Sequence, residues 1–445
     1  MKNLTTIVVM AIVLITSCKP SKMETETTTV PSFPERAKDM NIYEVNIRQY
    51  TPEGTFNAFA AHLPRLKEMG VDILWLMPVQ PIGVKNRKGG LGSYYSIQDY
   101  AATNPEFGTM DDFKALVNKA HELGMLVILD WVANHTSFDH AWTAKPGWHT
   151  VNEAGEIIPP NPDWTDVADL NFNNMDMQNA MIADMRFWVQ KADIDGFRCD
   201  VAGEVPIEFW NRAVDSLKVD KDLFMLAEWD EPRMHSAFHM TYGWGFHHTL
   251  KEAASGKFNA DSVANFIRKD IAKYPKEAFR MQFTDNHDEN SWNGTIFTRF
   301  GEGHLAYAVL AFTSYGMPLI YSGQEAGLSK SLRFFEKDTI NWGDVKFKDF
   351  YTKMLALKKN NPALHNGVYG GEPQFISTGN PNVLAYTRTK DANTVAVIIN
   401  LTGKEQTIQL ADESFKAADY FTGKAGEWSN ATVAPFQYYI GTSNK

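Results

Sequence analysis

Four carboxylates close short apolar runs in this 445-residue sequence. Asp130 follows Leu126-Val127-Ile128-Leu129, Asp200 ends the run Ile194–Asp200, Glu228 follows Phe224-Met225-Leu226-Ala227, and Asp288 comes just after Phe279–Thr284. One acid at a strand end caps or pairs. Four that converge repel, by about 4 kcal/mol for unit charges 4 Å apart at an effective dielectric near 20. A fold sustains this only where a cation intervenes or one group keeps its proton. Arg198 stands two residues before Asp200, on the same face of an extended strand, where it would hold Asp200 ionised. Glu228 follows apolar residues and precedes Trp229, surroundings that raise a carboxyl pKa. An ionised carboxylate beside a protonated one is the pairing needed for acid–nucleophile cleavage of a glycosidic bond. His135 and His287 lie in the same segments and can donate hydrogen bonds to ligand hydroxyls.

The elements that position these groups follow from hydrophobic periodicity. Apolar runs at Ile42–Ile47, Ile73–Met77, Met125–Asp130, Ile194–Asp200, Leu223–Glu228, Met240–Phe246, Phe279–Thr284 and Met317–Tyr321 read as parallel strands covered on both faces. Amphipathic stretches separate them, such as Phe56–Leu66 and Phe113–Leu123, the latter behind an N-cap at Thr109. Eight strands alternating with helices predict a (β/α)8 barrel over residues 38–134 and 174–362, whose chemistry sits at the C-terminal ends of the strands. The polar, Trp-bearing stretch 135–173 is too long for a plain loop and predicts a small excursion domain after the third strand. From residue 363 to 445 short strand-like runs and turn residues predict an antiparallel β-sandwich.

Composition narrows the partners. Hydrophobic residues make up 44% and charged residues 22%, and the formal net charge is −10. No basic block interrupts that balance, so a nucleic-acid partner is not expected. Aromatic residues reach 13%. Trp131, Trp229, Trp244 and the excursion tryptophans Trp142, Trp148 and Trp164 are candidate platforms for sugars.

Four segments together carry a specific resemblance. Asp130-Trp131-Val132-Ala133-Asn134-His135, Gly196-Phe197-Arg198-Cys199-Asp200, Ala227-Glu228 and Asn286-His287-Asp288 resemble the four conserved regions of the α-amylase family of glycoside hydrolases, family 13, in the same order. The resemblance extends over about Ile42 to Ile440. It implies Asp200 as nucleophile, Glu228 as general acid/base and Asp288 as transition-state stabiliser, with Tyr95, His135, Arg198 and His287 contacting the sugar at the cleavage point. It implies retention by double displacement on α-1,4-linked glucans: starch, maltooligosaccharides, cyclodextrins or pullulan.

The chain departs from the pattern after the nucleophile. Where many α-amylases carry Lys-His, it has Val201-Ala202-Gly203-Glu204, similar to the neopullulanase and cyclomaltodextrinase branch. The resemblance implies calcium ligands at Asn134 and Asp169, but the displaced His commonly supplies a further carbonyl ligand, which puts that calcium in question. No organic cofactor is expected. Three other readings compete. A metal-dependent barrel hydrolase needs an early His pair, and Asn46-Ile47-Arg48 offers none. A non-catalytic glucan-binding protein would be expected to have lost a carboxylate. A transglycosylase, with a sugar hydroxyl replacing water, shares every motif.

The N-terminus reads as an export signal over residues 1–17, with Lys2 ahead of an apolar run from Leu4 to Ile15 that is shorter than the ~20 residues of a membrane span. Leu14-Ile15-Thr16-Ser17-Cys18 resembles the bacterial lipobox, which implies lipidation of Cys18 and anchoring to a bacterial membrane. Residues 18–37 read as a flexible tether. Cys199 is the only other cysteine, so with Cys18 lipidated no intrachain disulfide is expected.

Overall fold

The computed structural model describes residues 32–444. The expected export signal, the lipidated Cys18 and most of the tether lie outside the described residues. Eight parallel strands close a barrel: β1 (Ile42–Val45), β2 (Ile73–Leu76), β3 (Leu126–Trp131), β4 (Gly196–Cys199), β5 (Phe224–Ala227), β6 (Met240–Tyr242), β7 (Phe279–Gln282) and β8 (Met317–Tyr321). Each pairs with its neighbours in sequence, and β8 returns to β1. The first and sixth strands are shorter than their apolar runs, because Ile47 and Trp244 already begin helices.

Side-chain alternation sorts each strand into two layers. Ile42, Ile73, Trp75, Leu126, Ile128, Phe224, Leu226, Met240, Tyr242, Phe279, Met281, Met317 and Leu319 fill the barrel interior. The intervening residues, including Tyr43, Leu74, Val127, Leu129, Trp131, Phe197 and Met225, pack outward against the helices. The helix Met110–Glu122 shows how local sequence sets its start. Thr109 accepts from Asp112 N–H at 3.2 Å while Asp112 accepts from Thr109 N–H at 2.9 Å, a reciprocal cap that satisfies two otherwise orphaned donors.

The excursion is real but small. His135–Ser137 pairs antiparallel with Val167–Asp169, His135 opposite Asp169, and Trp142 and Trp148 pack edge to face 5.0 Å apart in its core. After the last barrel helix (Lys348–Asn360), strands β9 (Gln374–Phe375), β10 (Val383–Lys390), β11 (Asn393–Asn400) and β14 (Tyr438–Asn444) form one antiparallel sheet. The pair β12 (Gln406–Ile408) and β13 (Ala431–Val433) forms a second, and Ala385, Ile398, Ile408 and Val433 pack in a core of their own.

One expectation is corrected. The tether does not extend to residue 37. Phe33 is 6% exposed, its ring lies 5.4 Å from that of Phe224, and its N–H donates to Asp222 Oδ2 at 2.9 Å. With Ala37 it joins the interior cluster and covers the end of the barrel opposite the strand C-termini. An aromatic ring gains too much from burial to remain in a solvated linker.

Candidate active site

The acids meet as the spacing requires. Along β3 and β4 the interior face ends in Asp130 and Arg198, which stand opposite each other in the ladder. The Arg198 side chain is fully buried. Its Nη1 donates to Asp130 Oδ1 and to Asp200 Oδ1, both at 2.9 Å, and its Nε donates to Tyr242 Oη at 3.1 Å. Nη2 lies 3.0 Å from Glu228 Oε1. Below the guanidinium the Trp75 ring sits 4.9 Å away, a cation–π contact in a desolvated setting. One cation therefore touches three carboxyl groups.

A single positive charge does not neutralise three anions in a site this dry, so protons are retained. Burial pushes the Glu228 carboxyl up to about 8, against the pull of Arg198 and with added repulsion from Asp200 and Asp288. Burial likewise raises Asp130 to about 7, again against Arg198 and with Asp200 adding to it. Glu228 Oε2 also accepts from Val201 N–H at 2.8 Å. Val201 holds this position at φ +35°, a left-handed conformation that a β-branched residue adopts only under tertiary constraint.

Asp288 follows β7 at the start of the helix His287–Trp292, whose Asn286 cap accepts from Glu289 N–H at 2.8 Å. His287 Nε2 lies 3.4 Å from Asp288 Oδ2 and 2.7 Å from Tyr95 Oη, and its Nδ1 is 2.5 Å from Glu44 Oε1. Burial works against the imidazolium, yet Asp288 and Glu44 together outweigh it and raise His287 to about 9. The ring is thus protonated at neutral pH. Tyr95 stacks on His287 at 5.6 Å and reaches Asp130 Oδ2 at 3.2 Å. His135, 2% exposed, meets Trp164 edge to face at 5.7 Å.

A cavity of about 430 Å³ joins these groups: Tyr95, His135, Asp200, Glu228, His287 and Asp288 all line it. A second, smaller cavity opens beyond Glu228, between Trp229 and Trp244. Trp164, Trp229 and Trp244 thus face open space, whereas Trp131, Trp142 and Trp148 do not. Trp131 is fully buried and packs on Tyr100 and Phe197, because it follows Asp130 on the outward face of β3.

Several site residues escaped the sequence reading. Glu44 lies in mid-strand on β1, fully buried beneath His287; an acid inside Ile42-Tyr43-Glu44-Val45 was the available signal. Trp75 and Tyr242, which the sequence shows only as members of two apolar runs, support Arg198 from the barrel interior. Lys88, Trp292, Phe334 and Phe335 also line the cavity, brought there by long loops after β2 and β8 and a short helix after β7.

The two expected calcium ligands lie side by side at the base of the excursion. Asn134 O accepts from Leu170 N–H at 3.2 Å, next to Asp169, which is half-buried and raised by burial and by Glu204. Among the described residues no group of three or more His, Cys, Asp and Glu gathers to hold a metal. One amide and one carboxylate supply two oxygens where calcium takes six to eight, so no step of the chemistry is assigned to a metal.

Comparison with known proteins agrees with this geometry. Residues 30–156 and 161–363 match the alpha amylase catalytic domain, and residues 374–440 match the maltogenic amylase C-terminal domain. The crystal structure of an alpha-amylase from Lactobacillus plantarum superposes with a TM-score of 0.83 at 30% identity, covering 91% of this chain and 99% of that one. Alpha-amylase MalA of Haloarcula japonica is 27% identical over 90% of this chain, and a Bacillus cyclomaltodextrinase is 26% identical over 78%. This chain spans 61% and 65% of the length of those two relatives. With an eight-stranded barrel, three acids around one buried arginine and matched domains over most of its length, the chain belongs to the α-amylase family of glycoside hydrolases.

Proposed function

We propose that the protein is a retaining hydrolase of α-1,4-glucans. The observation that carries this reading is the single guanidinium of Arg198 touching both Asp200 and Glu228 at the edge of the cavity, with burial pushing the Glu228 carboxyl up to about 8. Glu228 donates its proton to the glycosidic oxygen as the bond from that oxygen to the anomeric carbon breaks. Asp200 attacks that carbon from the opposite face and forms a glycosyl ester. The Glu228 carboxylate then takes a proton from water, the water oxygen bonds to the anomeric carbon, and Asp200 is released. Asp288, with protonated His287 beside it, stabilises the oxocarbenium-like transition state and binds ring hydroxyls.

Following the anomer by NMR tests this: retention requires the α-product first, whereas an initial β-product refutes it. Parallel product analysis on starch, cyclodextrin and pullulan fixes the substrate. A second reading, transfer to a sugar hydroxyl, is favoured by the cavity between Trp229 and Trp244, which offers aromatic faces to an acceptor. Oligosaccharides longer than the substrate, appearing early, would support it.

The export signal and the lipobox-like Leu14–Cys18 support an exported protein anchored by lipid to a bacterial membrane, on its periplasmic or cell-surface face. Mass spectrometry of the native membrane protein checks this: a lipidated Cys18 is expected, and an unmodified thiol contradicts it.

A further inference from the structure

The loops around the cavity are tied to one another as well as to the barrel. The segment after β2 crosses the outer edge of the cavity at 88–92. There Leu91 N–H donates to Phe335 O at 2.9 Å, and Gly90 N–H donates to Glu336 Oε1 at 2.6 Å, which joins it to the loop after β8. Lys88 Nζ donates to Asp163 O at 2.7 Å and lies 3.3 Å from Asp166 Oδ1, which joins it to the excursion. From beneath, buried Arg48 donates to Gly92 O and Leu91 O at 3.1 and 3.2 Å. A Cβ on Gly89 would lie 2.4 Å from Phe335 Cβ, and Gly89 sits at φ +63°; the crossing needs glycine to approach this closely.

The strap has a definite place relative to the reacting bond. Glu228 lines both cavities, and the one between Trp229 and Trp244 contains no strap residue; the leaving chain that Glu228 protonates is assigned to it. The strap, through Lys88, and Phe335 border the main cavity, which Asp200, Tyr95 and His287 also line. At about 430 Å³ that space is near the lower end of the ~300–1,000 Å³ of small-molecule sites. A disaccharide-sized ligand fits it better than a polymer running through.

We infer that the strap walls off the glycone side of the cleft, so that the enzyme removes short units from the non-reducing ends of α-glucans rather than cutting within them. Lys88 and Glu336, which hold the strap at its two sides, are specificity-determining positioning residues. This rests on the hydrolase reading above.

The test compares maltoheptaose carrying a nitrophenyl aglycone with the same compound blocked by an ethylidene group at its non-reducing end, following substrate loss by chromatography. The wild-type protein is expected to consume the free compound at least about 100-fold faster, a discrimination typical of a steric wall. Lys88→Ala and Glu336→Ala, made separately, are each expected to narrow that ratio by at least about tenfold as the wall loosens, a change that a merely structural loss, slowing both substrates alike, does not produce. Equal consumption of both compounds by the wild-type protein overturns end-action and leaves the hydrolase reading intact. An unchanged ratio in both variants overturns the role of the strap. Consumption of neither compound overturns both this inference and the reading on which it rests.

Discussion

Replacing Glu228 by Gln should slow catalysis and, at alkaline pH, stabilise the fold. A carboxyl whose folded pKa lies above its unfolded value binds more protons in the native state, so its contribution is present at low pH and lost as pH rises. For Glu228 the window runs from its ordinary 4.5 to about 8. The full difference, at about 1.4 kcal/mol per pH unit, sets a ceiling of about 5 kcal/mol. Asp130 and Asp200 share Arg198 and take up part of the cost, so about 2 kcal/mol is expected. Gln keeps the volume and an acceptor for Val201 N–H, and Arg198 retains Asp130 and Asp200 as partners. At about 1 °C per kcal/mol for a chain this large, the variant should gain ~2 °C in Tm over the wild type between pH 5 and pH 9. Calorimetry of both proteins across that range measures it. A difference that stays flat, or that turns against the variant as pH rises, would mean that Glu228 is charged throughout and that its contact with Arg198 is a net stabilising ion pair.

Three further outcomes follow from the same geometry. Arg198→Lys should lower kcat by at least ~100-fold, because a single ammonium does not reproduce contacts to three carboxyls and Tyr242; Arg198→Ala should in addition cost about 3–5 kcal/mol in denaturant unfolding. Glu44→Gln removes one of the two anions that hold His287 protonated. The stability from His287 is present below pH 6.5 and lost through about 9, so this variant should lose ~1–2 kcal/mol at pH 6, and the alkaline limb of its kcat/KM profile should move to lower pH. Exchange between EDTA and calcium should leave Tm unchanged, since Asn134 and Asp169 bring two oxygens; a rise of several degrees with calcium would show that other oxygens complete a site.

Much of the site was legible because chain chemistry and chain position coincide there. Asp130, Asp200 and Glu228 each end an apolar run and Asp288 follows one closely, and in a parallel barrel the ends of such runs share one mouth. Alternation put Arg198 and Asp200 on one face, and the same rule, applied to Asp130, would have turned Trp131 outward. Glu44 was harder to see. It is a lone acid inside a strand, and only the closure of β8 against β1 brings it under His287, 243 residues away. The loops after β2 and β8 show no periodicity, and their meeting depends on bonds such as Gly90 to Glu336, 246 residues apart. The docking of Phe33 was hidden among polar neighbours. Its contact with Phe224 exists only once the barrel has an open end to cover.

The measurement closest to the centre of the chemistry is capture of the covalent intermediate. The Glu228→Gln protein, incubated with a fluorinated maltosyl fluoride that needs no proton to expel its leaving group, should accumulate a glycosyl ester, and peptide mass spectrometry should place the added sugar on Asp200. An adduct on Asp130 or Asp288, or turnover without any adduct in which the β-product forms first, would contradict Asp200 as nucleophile and Glu228 as its acid/base partner.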